Sequence, residues 1–434
     1  MPPSTDQMLS QLRQLRSKRQ PGKSASASAS GENTTRVAYD FTKLKDYEQM
    51  RIQAAAAEFA GMSSPFFRRH DAVDGVSSRI DGRERINFAT YDYLGLNAHP
   101  VLREAAQNAV AEWGVSATAS RLVGGERPYH TALEDALAKT HGVEAALAMV
   151  SGHATNVTTL GALLGPRDLV LTDTLIHNSI TEGCKLAGAK RVAFPHNDTD
   201  WIDDYLARNR HMFEHVMIVV EGLYSMDGDV ADLKALVRLK NRHDAWLMVD
   251  EAHSLGVLGE TGRGLAEHAG VNPNEVELWM GTMSKTLGSC GGYIAGSRAL
   301  IDFLKFKASG FVFSVGLSAP AAAAALAALQ IMEQETDRTA RLKRNGAYFK
   351  AKAESAGLDT GLSLGYAVAP ILIGSSLEAG KAADRLFSMD VNALPIIFPA
   401  VPEKSARIRF FVTSEHTEAH IDQAVDATAA ALSA

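Results

Sequence analysis

Short apolar runs alternate with segments of helical periodicity along most of the chain from about Gly61 onward. The apolar runs are β-prone and predict buried strands at Ala145–Val150, Leu169–Leu171, Val192–Phe194, Val216–Val220 and Trp246–Val249. Between them, apolar residues recur at helical spacing in Thr155–Leu164, Asn178–Ala187 and Leu233–Arg242. This alternation predicts an α/β fold whose mostly parallel sheet is covered on both faces. Ligands in such sheets bind beyond the carboxyl ends of strands, so polar residues just after a strand are candidates for chemistry.

The pattern changes at both ends of the chain. After Gln330, the segments that predict a smaller α+β domain are Gln334–Gly357, Leu377–Met389 and Thr417–Leu432 as helices and Ala367–Ile373 and Ile408–Thr413 as strands. Before residue 61, we predict a short basic helix at Met8–Arg19, a Ser/Ala linker at Ser24–Ser30 and a helix at Tyr39–Ala60. A docking helix on a linker and a remnant of a larger architecture both fit this extension, but we favour disordered padding.

Composition narrows the class of protein. The 434 residues are 46% hydrophobic and 22% charged, which is enough for one large domain and a smaller one. A net charge of -6 gives no basic face for a nucleic-acid partner. The two cysteines lack metal-ligand spacing, so we expect no metal site and a reducing, cytoplasmic location. The start of the chain does not resemble a secretory signal, and no apolar run approaches the roughly 20 residues of a membrane span.

Two strand ends carry the strongest chemical signals. In LMVDEAH, Asp250 ends a buried strand, where a carboxylate is costly without a cationic partner, although an Asp that caps the next turn is about equally expected. In WMGTMSKTLGSCGG, Lys285 follows an apolar run and precedes a glycine-rich turn. A partly desolvated lysine has a lowered pKa and forms imines with carbonyls, although a phosphate-binding or surface lysine also fits this pattern.

Weaker signals follow the other predicted strands. AMVSGHATN places Ser151–His153 between a strand and a helix, where backbone N–H groups bind phosphate. His177 and Ser225 each follow a strand, but a packing histidine and an ordinary turn hydroxyl explain them as well. In RIRFFVT, Arg407 and Arg409 share one face of a strand, either as a carboxylate clamp or as solvated surface residues.

The combination is more specific than its parts. A phosphate-binding turn, a strand-end Asp, an imine-forming Lys and a carboxylate-binding Arg lie in one α/β chain. Pyridoxal phosphate (PLP) needs a phosphate anchor, an anion for its pyridine nitrogen and a lysine for its aldehyde, and its amino-acid substrates need a clamp for their carboxylate. The sequence therefore predicts a PLP enzyme.

The chain closely resembles the α-oxoamine synthases, a PLP family that includes serine palmitoyltransferase, 8-amino-7-oxononanoate synthase, 2-amino-3-ketobutyrate ligase and 5-aminolevulinate synthase. The resemblance spans about Ser64–Leu432 and rests on NFATYDYLGL, EGLYSMDGD, LMVDEAHSLGVLGETGRG, GTMSKTLGSCGGY and RIRFFVTSEHT, which occur in family order. It implies a fold-type I, aspartate aminotransferase-like fold with a large PLP domain at residues 96–330 around a mostly parallel seven-stranded sheet. It also implies a small α+β domain from residues 61–95 and 331–434, and leaves 1–60 as an extension.

The same resemblance assigns the catalytic and ring-binding residues. Lys285 is expected to hold PLP as an imine and then to act as the base for the substrate α-proton. Asp250 would pair with the pyridine nitrogen, and His253 and Ser225 would contact the phenolic oxygen. His177 would stack over the ring and, when protonated, hydrogen-bond the thioester carbonyl or the amino-acid carboxylate.

Phosphate and substrate contacts are assigned to further residues. The residues expected near the phosphate are Ser151, Gly152, His153, Thr282 and Ser284, with Ser314 reaching the phosphate of the neighbouring subunit in a homodimer with shared sites. Arg409 is expected to bind the substrate carboxylate, and Tyr91 and Ser120 are further substrate-binding candidates.

The resemblance implies condensation of a small amino acid with a CoA or acyl-carrier-protein thioester, with loss of CO2. Tyr91–Tyr93 favours a serine palmitoyltransferase-like enzyme, and SASRLVGGERPYH is similar to relatives that work with polyketide or carrier-protein systems. We rank serine or alanine with a long or carrier-bound acyl group above glycine, and expect peripheral membrane contact if the product is a lipid. The alternatives are another fold-type I reaction, such as transamination or retro-aldol cleavage, and a non-catalytic partner subunit.

Departures from the family pattern lie around the site. His153 stands where the family commonly has an aromatic residue, and alanines at 117 and 119 replace glycines before Arg121. Val315 and Gly316 replace hydroxyl residues after Ser314. These changes leave the PLP residues intact and bear on which substrate is used.

Overall fold

The computed structural model describes residues 40–59 and 63–433. The chain divides into two compact units, residues 1–56 and 57–434. In the first unit, the described residues form the turn Phe41–Lys43 and most of helix α1, Lys45–Phe59. The predicted basic helix at Met8–Arg19 and the Ser/Ala linker at Ser24–Ser30 lie outside the described residues.

The second unit holds the strands and the other helices. The strands are β1 His70–Asp74, β2 Ser77–Ile80, β3 Arg83–Asn87, β4 Ala145–Met149, β5 Leu169–Asp173, β6 Lys190–Phe194, β7 Val216–Glu221, β8 Trp246–Asp250, β9 Leu278–Thr282, β10 Gly292–Gly296, β11 Val368–Gly374, β12 Val391–Asn392, β13 Leu394–Ile396 and β14 Ala406–Phe411. The helices are α2 Pro100–Trp113, α3 Pro128–His141, α4 Gly152–Leu163, α5 Asn178–Ala187, α6 Thr199–Asn209, α7 Leu233–Arg242, α8 Leu265–Ala269, α9 Arg298–Lys307, α10 Ser309–Val312, α11 Ala319–Gln334, α12 Asp337–Ser355, α13 Ser376–Ser388 and α14 Glu418–Ser433. Single helical turns lie at Arg121–Gly125, Arg210–Met212, Pro273–Glu275 and Glu403–Ser405.

A seven-stranded sheet in the order β4-β10-β9-β8-β7-β5-β6 forms the centre of this unit. Strand β10 is antiparallel to both of its neighbours, and the other pairings are parallel. Alternate residues of a strand enter different cores, so Ile218 and Val220 pack on one side and Met217 and Val219 on the other. The predicted α/β fold with a mostly parallel seven-stranded sheet is confirmed.

Two smaller sheets are formed by the N-terminal strands and the C-terminal part of the unit. One has the order β1-β2-β3-β12, and the parallel pairing of Val391 with Ile86 joins distant parts of the chain. The other has the order β11-β14-β13 and carries Arg407 and Arg409 on its central strand. The domain boundaries expected at residues 95 and 330 stay a prediction. Among the described helices, none has both the length and the apolarity to cross a membrane.

Candidate active site

The carboxyl ends of β7, β8 and β9 border a cavity of about 280 Å³. It is lined by Ser151, Gly152, His153, Asn156, His177, Ser179, Glu221, Asp250, Ala252, His253, Met280, Thr282, Ser284 and Lys285. This set contains every predicted cofactor residue except Ser225 and Ser314. The parallel sheet thus gathers strand-end residues that are far apart in sequence, as the rule for such sheets predicts.

Lys285 lies in this cavity, three residues after β9 ends. Its Nζ is 5.7 Å from the centroid of the Tyr91 ring. Burial lowers the pKa of Lys285, and the nearby carboxyl groups of Asp250 and Glu221 partly oppose this shift. A lowered pKa leaves more of the amine neutral near pH 7, which is the form that attacks a carbonyl.

Two carboxyl groups lie side by side at the edge of the sheet. Asp250 and Glu221 are paired in register at the ends of β8 and β7, and both are buried. Asp250 Oδ1 accepts from the Ala252 N–H at 2.9 Å, and Oδ2 accepts from Asn156 Nδ2 at 2.9 Å. Burial, reinforced by the charge of Asp250, raises the pKa of Glu221 to about 8, so Glu221 holds a proton at neutral pH.

A histidine and two tyrosines form the wall next to Lys285. His253 Nδ1 lies 2.6 Å from the Tyr93 hydroxyl, and the ring of Tyr91 meets His253 edge-on at 6.0 Å between centroids. Burial lowers the pKa of His253 well below its usual value, so the imidazole is neutral. Tyr93 is fully buried, and burial raises its pKa well above 10, so it stays a neutral phenol.

His177 occupies the N-cap position of α5. Its Nδ1 accepts from the Ser179 N–H at 3.3 Å and lies 2.7 Å from the Ser179 hydroxyl. Burial lowers the pKa of His177, while the charge of Asp250 acts to raise it. His177 is therefore neutral near pH 7, so a hydrogen bond to substrate would come from its Nε2–H rather than from an imidazolium.

The N-terminus of α4 forms one end of the cavity. The Ser151 hydroxyl caps the helix by accepting from the Ala154 N–H, which leaves earlier N–H groups without intrahelical partners. A Cβ at position 152 would lie 2.8 Å from Thr282 Oγ1, so any larger residue there would displace the Thr282 side chain. Thr282 Oγ1 in turn lies 2.8 Å from Ser284 Oγ. Hydroxyls and free N–H groups at a helix N-terminus are suited to a phosphate.

Arg407 and Arg409 share a face of β14 but have different partners. Arg407 is buried and pairs with Asp227 Oδ1 at 2.5 Å. Arg409 donates to the Ser225 carbonyl at 2.8 Å, and its Nε is buried without a hydrogen bond among the described residues. Burial lowers the pKa of Arg409, as expected for a guanidinium without a carboxylate beside it. A substrate carboxylate would supply the missing counter-ion.

Three predicted residues lie outside the cavity lining, besides Arg409 and Ser225. Tyr91 lies at its margin, over Lys285. Ser120 donates to the Val312 carbonyl at 2.7 Å and caps the turn Arg121–Gly125. Ser314 lines a separate small cleft beside Arg121. Within one chain, Ser120 and Ser314 are therefore not brought to Lys285.

Known proteins match this sequence and fold. The family model for aminotransferase class I and II matches residues 83–427. The chain belongs to this family. An 8-amino-7-oxononanoate synthase from Thermoanaerobacter pseudethanolicus is 37% identical over 388 residues, covering 89% of this chain and 95% of the relative. 8-Amino-7-oxononanoate synthase 1 from Bacillus subtilis is 38% identical over 356 residues, covering 82% of this chain and 90% of the relative.

Solved structures place the chain in the α-oxoamine synthase group of this family. Serine palmitoyltransferase from Sphingomonas wittichii matches with a TM-score of 0.86 and 28% identity, covering 90% of this chain and 98% of that one. A serine palmitoyltransferase variant from S. paucimobilis with bound PLP–myriocin aldimine matches with a TM-score of 0.86, 25% identity and the same coverage. The chain is thus a PLP-dependent α-oxoamine synthase, an acyltransferase, as its motifs predicted.

The cavity of this α-oxoamine synthase fits PLP. The narrow space at Gly152 and the free N–H groups of α4 suit a phosphate, and Asp250 offers an anion to a pyridinium nitrogen. Lys285 lies in the same cavity and would supply the amine for the aldehyde. Glu221 Oε1 and Asn156 Oδ1 are buried without partners among the described residues, and a bound polar group would relieve that cost.

Sequence reasoning missed several residues of the α-oxoamine synthase site. Asn156, Ser179, Glu221 and Tyr93 all contact predicted residues. The position of Asn156 gave a usable signal, because it lies four residues after Gly152 and therefore on the same face of α4. Nothing in the local pattern marks Ser179.

A second cavity, of about 480 Å³, lies at the opposite edge of the sheet, where β8 and β9 begin. Its carboxylate Glu277 already accepts from Lys240 Nζ at 2.6 Å and from the Leu247 N–H at 2.8 Å. These partners satisfy the charge of Glu277, and the other carboxyl group of the lining, Glu144, accepts from the Arg298 N–H at 2.8 Å. Among the described residues, no cluster of three or more His, Cys, Asp or Glu side chains could hold a metal ion.

Proposed function

We propose that this enzyme condenses a small α-amino acid with an acyl thioester and releases CO2 and a free thiol, giving an α-amino ketone. The observation that carries the proposal is the joint position of Lys285 and Asp250 in one cavity, within electrostatic reach of the unpaired Arg409. An amine, an anion and a carboxylate-binding cation are the groups that PLP chemistry on an amino acid requires.

We propose the following residues as the cofactor cradle. The phosphate would be held at Ser151, Gly152 and His153, with the hydroxyls of Thr282 and Ser284 beside them. The ring would be held by Asp250 at its nitrogen, His177 at its face, and His253 with Ser225 at its phenolic oxygen. When bound, PLP withdraws electrons from the substrate α-carbon, so that a proton or a carboxylate can leave it.

Lys285 is the proposed mover of protons at the α-carbon. Its lowered pKa gives Nζ a neutral fraction that accepts the α-proton near neutral pH. Nζ can later return a proton to the same carbon. The Nε2–H of neutral His177 is the proposed donor to the thioester carbonyl oxygen or the amino-acid carboxylate.

Arg409 is the proposed anchor for the substrate carboxylate. Its guanidinium is buried and has no carboxylate partner, and its position over the Phe411 ring, 4.6 Å from the centroid, keeps water away from one face. A carboxylate that binds there gains a charge-assisted hydrogen bond at a site already desolvated. Serine, alanine and glycine all carry this group, so Arg409 does not choose among them.

For the substrates, we propose serine or alanine first and glycine next. The acyl donor is a CoA or carrier-protein thioester, with a long or carrier-bound acyl group preferred. Tyr91 at the margin of the cavity and the Ser116–Ser120 segment are the proposed contacts on the donor side.

We further propose that two copies form a homodimer in the cytoplasm. Phe313 is 87% exposed and Val123 is 81% exposed, which is costly for a monomer in water. A hydrogen bond from the Ser120 hydroxyl to the Val312 carbonyl at 2.7 Å holds the two segments that carry these residues together. Ser314 follows Phe313 in one of these segments, from which it would reach the phosphate of the other subunit. Light scattering of the Phe313→Asp variant should report a monomer if the proposal holds.

The reaction is tested by mixing the yellow, PLP-loaded enzyme with one amino acid and one acyl thioester at a time. The panel contains serine, alanine and glycine, each with CoA and carrier-protein donors. We expect CO2 and free thiol to appear in equal amounts with one preferred pair. Amino-group transfer to a keto acid without thiol release would instead indicate transamination and refute the proposal.

A further inference from the structure

Four side chains form a continuous hydrogen-bonded chain across the floor of the cavity. Asp250 Oδ2 accepts from Asn156 Nδ2 at 2.9 Å, and the same nitrogen donates to Ser179 Oγ at 2.9 Å. Ser179 Oγ lies 2.7 Å from His177 Nδ1. The chain therefore links the residue assigned to the ring nitrogen with the residue assigned to the ring face.

The direction of each hydrogen bond is fixed by chemistry. The carboxylate of Asp250 only accepts, so the amide nitrogen of Asn156 must face it, and both amide hydrogens are then used by Asp250 and Ser179. The Ser179 N–H donates to His177 Nδ1, so that ring nitrogen is an acceptor. The Ser179 hydroxyl, which accepts from Asn156, is left to donate its own hydrogen to Nδ1.

This pattern fixes the tautomer of His177. A neutral imidazole whose Nδ1 accepts two hydrogen bonds carries its proton on Nε2. The charged or titratable groups around His177 are Asp250, Lys285, His153 and Arg409, and together with burial they leave the ring with a lowered pKa. His177 therefore keeps an Nε2–H donor only as long as Ser179 holds Nδ1 in the accepting role.

The two middle members are buried side chains that line the cavity. Asn156 is 1% exposed and Ser179 is fully buried. Because the amide of Asn156 does not titrate, it acts by orienting its hydrogen-bond partners and not by changing charge. Loss of its amide would leave both Asp250 Oδ2 and Ser179 Oγ without a donor, at the full cost of a buried unsatisfied group.

We propose that Asn156 is a positioning residue of this enzyme, which holds Asp250 with one amide hydrogen and, through Ser179, holds His177 as the Nε2–H tautomer with the other. The proposal rests on the proposed function, because the roles of Asp250 and His177 come from it. It adds that one amide group, that of Asn156, fixes both the position of Asp250 and the tautomer of His177. A change at Asn156 therefore alters both.

The first experiment reads the tautomer directly. Histidine ring nitrogens are labelled with nitrogen-15 in the full-length enzyme, with and without PLP, and His177 is assigned by the signal lost in His177→Gln. We expect the wild type to show a protonated Nε2 and an accepting Nδ1. Ser179→Ala loses the hydroxyl donor at 2.7 Å and keeps only the longer backbone N–H donor at 3.3 Å, so its His177 signals should move toward a mixture of both tautomers. Asn156→Ala should show a smaller shift in the same direction, because the Ser179 hydroxyl is kept but no longer oriented, whereas the exposed-residue control Asn178→Ala should match the wild type.

The second experiment separates the two arms of the chain. PLP dissociation constants are measured by fluorescence titration of the stripped enzyme. Asn156→Ala should weaken PLP binding roughly ten- to hundred-fold, because Asp250 loses a charge-assisted partner. Asn156→Asp should weaken it more, since a second carboxyl group then faces Asp250. Ser179→Ala should change it by less than about threefold, because the Asn156–Asp250 bond remains.

The outcomes are distinct. If Ser179→Ala leaves the His177 tautomer unchanged, or Asn156→Ala binds PLP as tightly as the wild type, Asn156 does not position these residues. If Asn156→Ala does not fold, Ser179→Ala still decides the tautomer arm, and Asn156→Asp, which keeps the size of the side chain, decides the PLP arm. A wild type that takes up no PLP would refute the proposed function, while the spectrum without PLP would still test the hydrogen-bonded chain.

Discussion

Two clusters of buried charge lie at the same edge of the central sheet, and they differ in how completely their charges are paired. One follows β5, β6 and β7 and consists of Asp173, His196 and Asp229. The other is the candidate PLP cavity at the ends of β7, β8 and β9. The rule that strand-end residues carry chemistry selects both clusters, so position alone does not separate structure from function.

The first cluster is paired on both sides. His196 Nδ1 lies 3.0 Å from Asp173, and Nε2 lies 2.8 Å from Asp229. Burial acts to lower the pKa of His196, but the hydrogen bonds and charges of the two carboxylates outweigh it and raise the pKa to about 10. The Tyr224 hydroxyl also donates to Asp173 at 3.0 Å. The imidazolium of His196 therefore links Asp229, in the loop after β7, to Asp173, at the end of β5.

The cavity cluster is left partly unpaired. Lys285 has a lowered pKa, Glu221 has a raised one, and Arg409 has no carboxylate partner. Each group is thus buried without a full set of partners, at a cost that a bound ligand can offset. Such groups with shifted pKa values are typical of functional sites. The comparison teaches that missing partners, rather than buried charge as such, mark the site.

The largest expected effect comes from Lys285→Ala. Without Nζ no imine to PLP forms, so the absorbance band of the PLP imine should be absent, and condensation should slow by on the order of a thousandfold or more. The matched control is His196→Gln, which should keep the band because it lies in the paired cluster. An unchanged imine band in Lys285→Ala would show that another residue binds the aldehyde.

The two arginines of β14 test the comparison within one strand. Arg409→Ala should weaken binding of the amino acid by about 2–4 kcal/mol, because the substrate carboxylate loses its partner. This loss should appear as an increase in the KM for the amino acid. Arg407→Ala should lower the free energy of unfolding by about 3–5 kcal/mol, because Asp227 is left buried and unpaired. Steady-state kinetics and urea denaturation measure the two effects, and the reverse assignment would contradict the distinction.

His196→Gln should lower the free energy of unfolding by about 2–4 kcal/mol at pH 6, with little change in PLP affinity. The pKa of His196 is raised from 6.5 to about 10 by folding, so its contribution is complete below pH 6.5 and is lost as pH rises through 10. Denaturation curves should therefore show the wild type losing stability between pH 6.5 and 10, while the variant loses less. Parallel curves would mean that His196 is not an imidazolium.

The smallest effect is expected for Glu221→Gln. Near pH 5 both side chains are neutral, so the free energy of unfolding should change by less than about 1 kcal/mol. The pKa of Glu221 is raised to about 8, so its contribution to stability is complete below pH 4.5 and is lost as pH rises through 8. The wild type should therefore lose stability between pH 5 and 9, whereas the variant should not show this loss. Glu221→Asp is the control, since it keeps a titrating carboxyl group.

Much of the fold was predictable because it depends on local periodicity. The runs at Ala145–Val150 and Trp246–Val249 became β4 and β8 almost unchanged, and the predicted helices at Asn178–Ala187 and Leu233–Arg242 have the observed bounds. Burial on both faces of the sheet forces such runs to be apolar throughout, so the sequence displays them. Lys285 and Asp250 were predicted as site residues for a related reason, because they are polar residues that interrupt or end these runs.

The sequence by itself determined the order of strands and helices and the membership of a PLP family, and it predicted Lys285 as the lysine that binds PLP. Only the tertiary structure decided which polar residues meet, because Asn156 and Asp250 are 94 residues apart and no local pattern records that contact. The same holds for Arg407 and Arg409, which are alike in sequence and differ only in whether a carboxylate of a distant loop lies beside them. The physical reason is that hydrogen bonds and ion pairs act over a few ångströms in space, whereas periodicity reports only the environment of each residue along its own element.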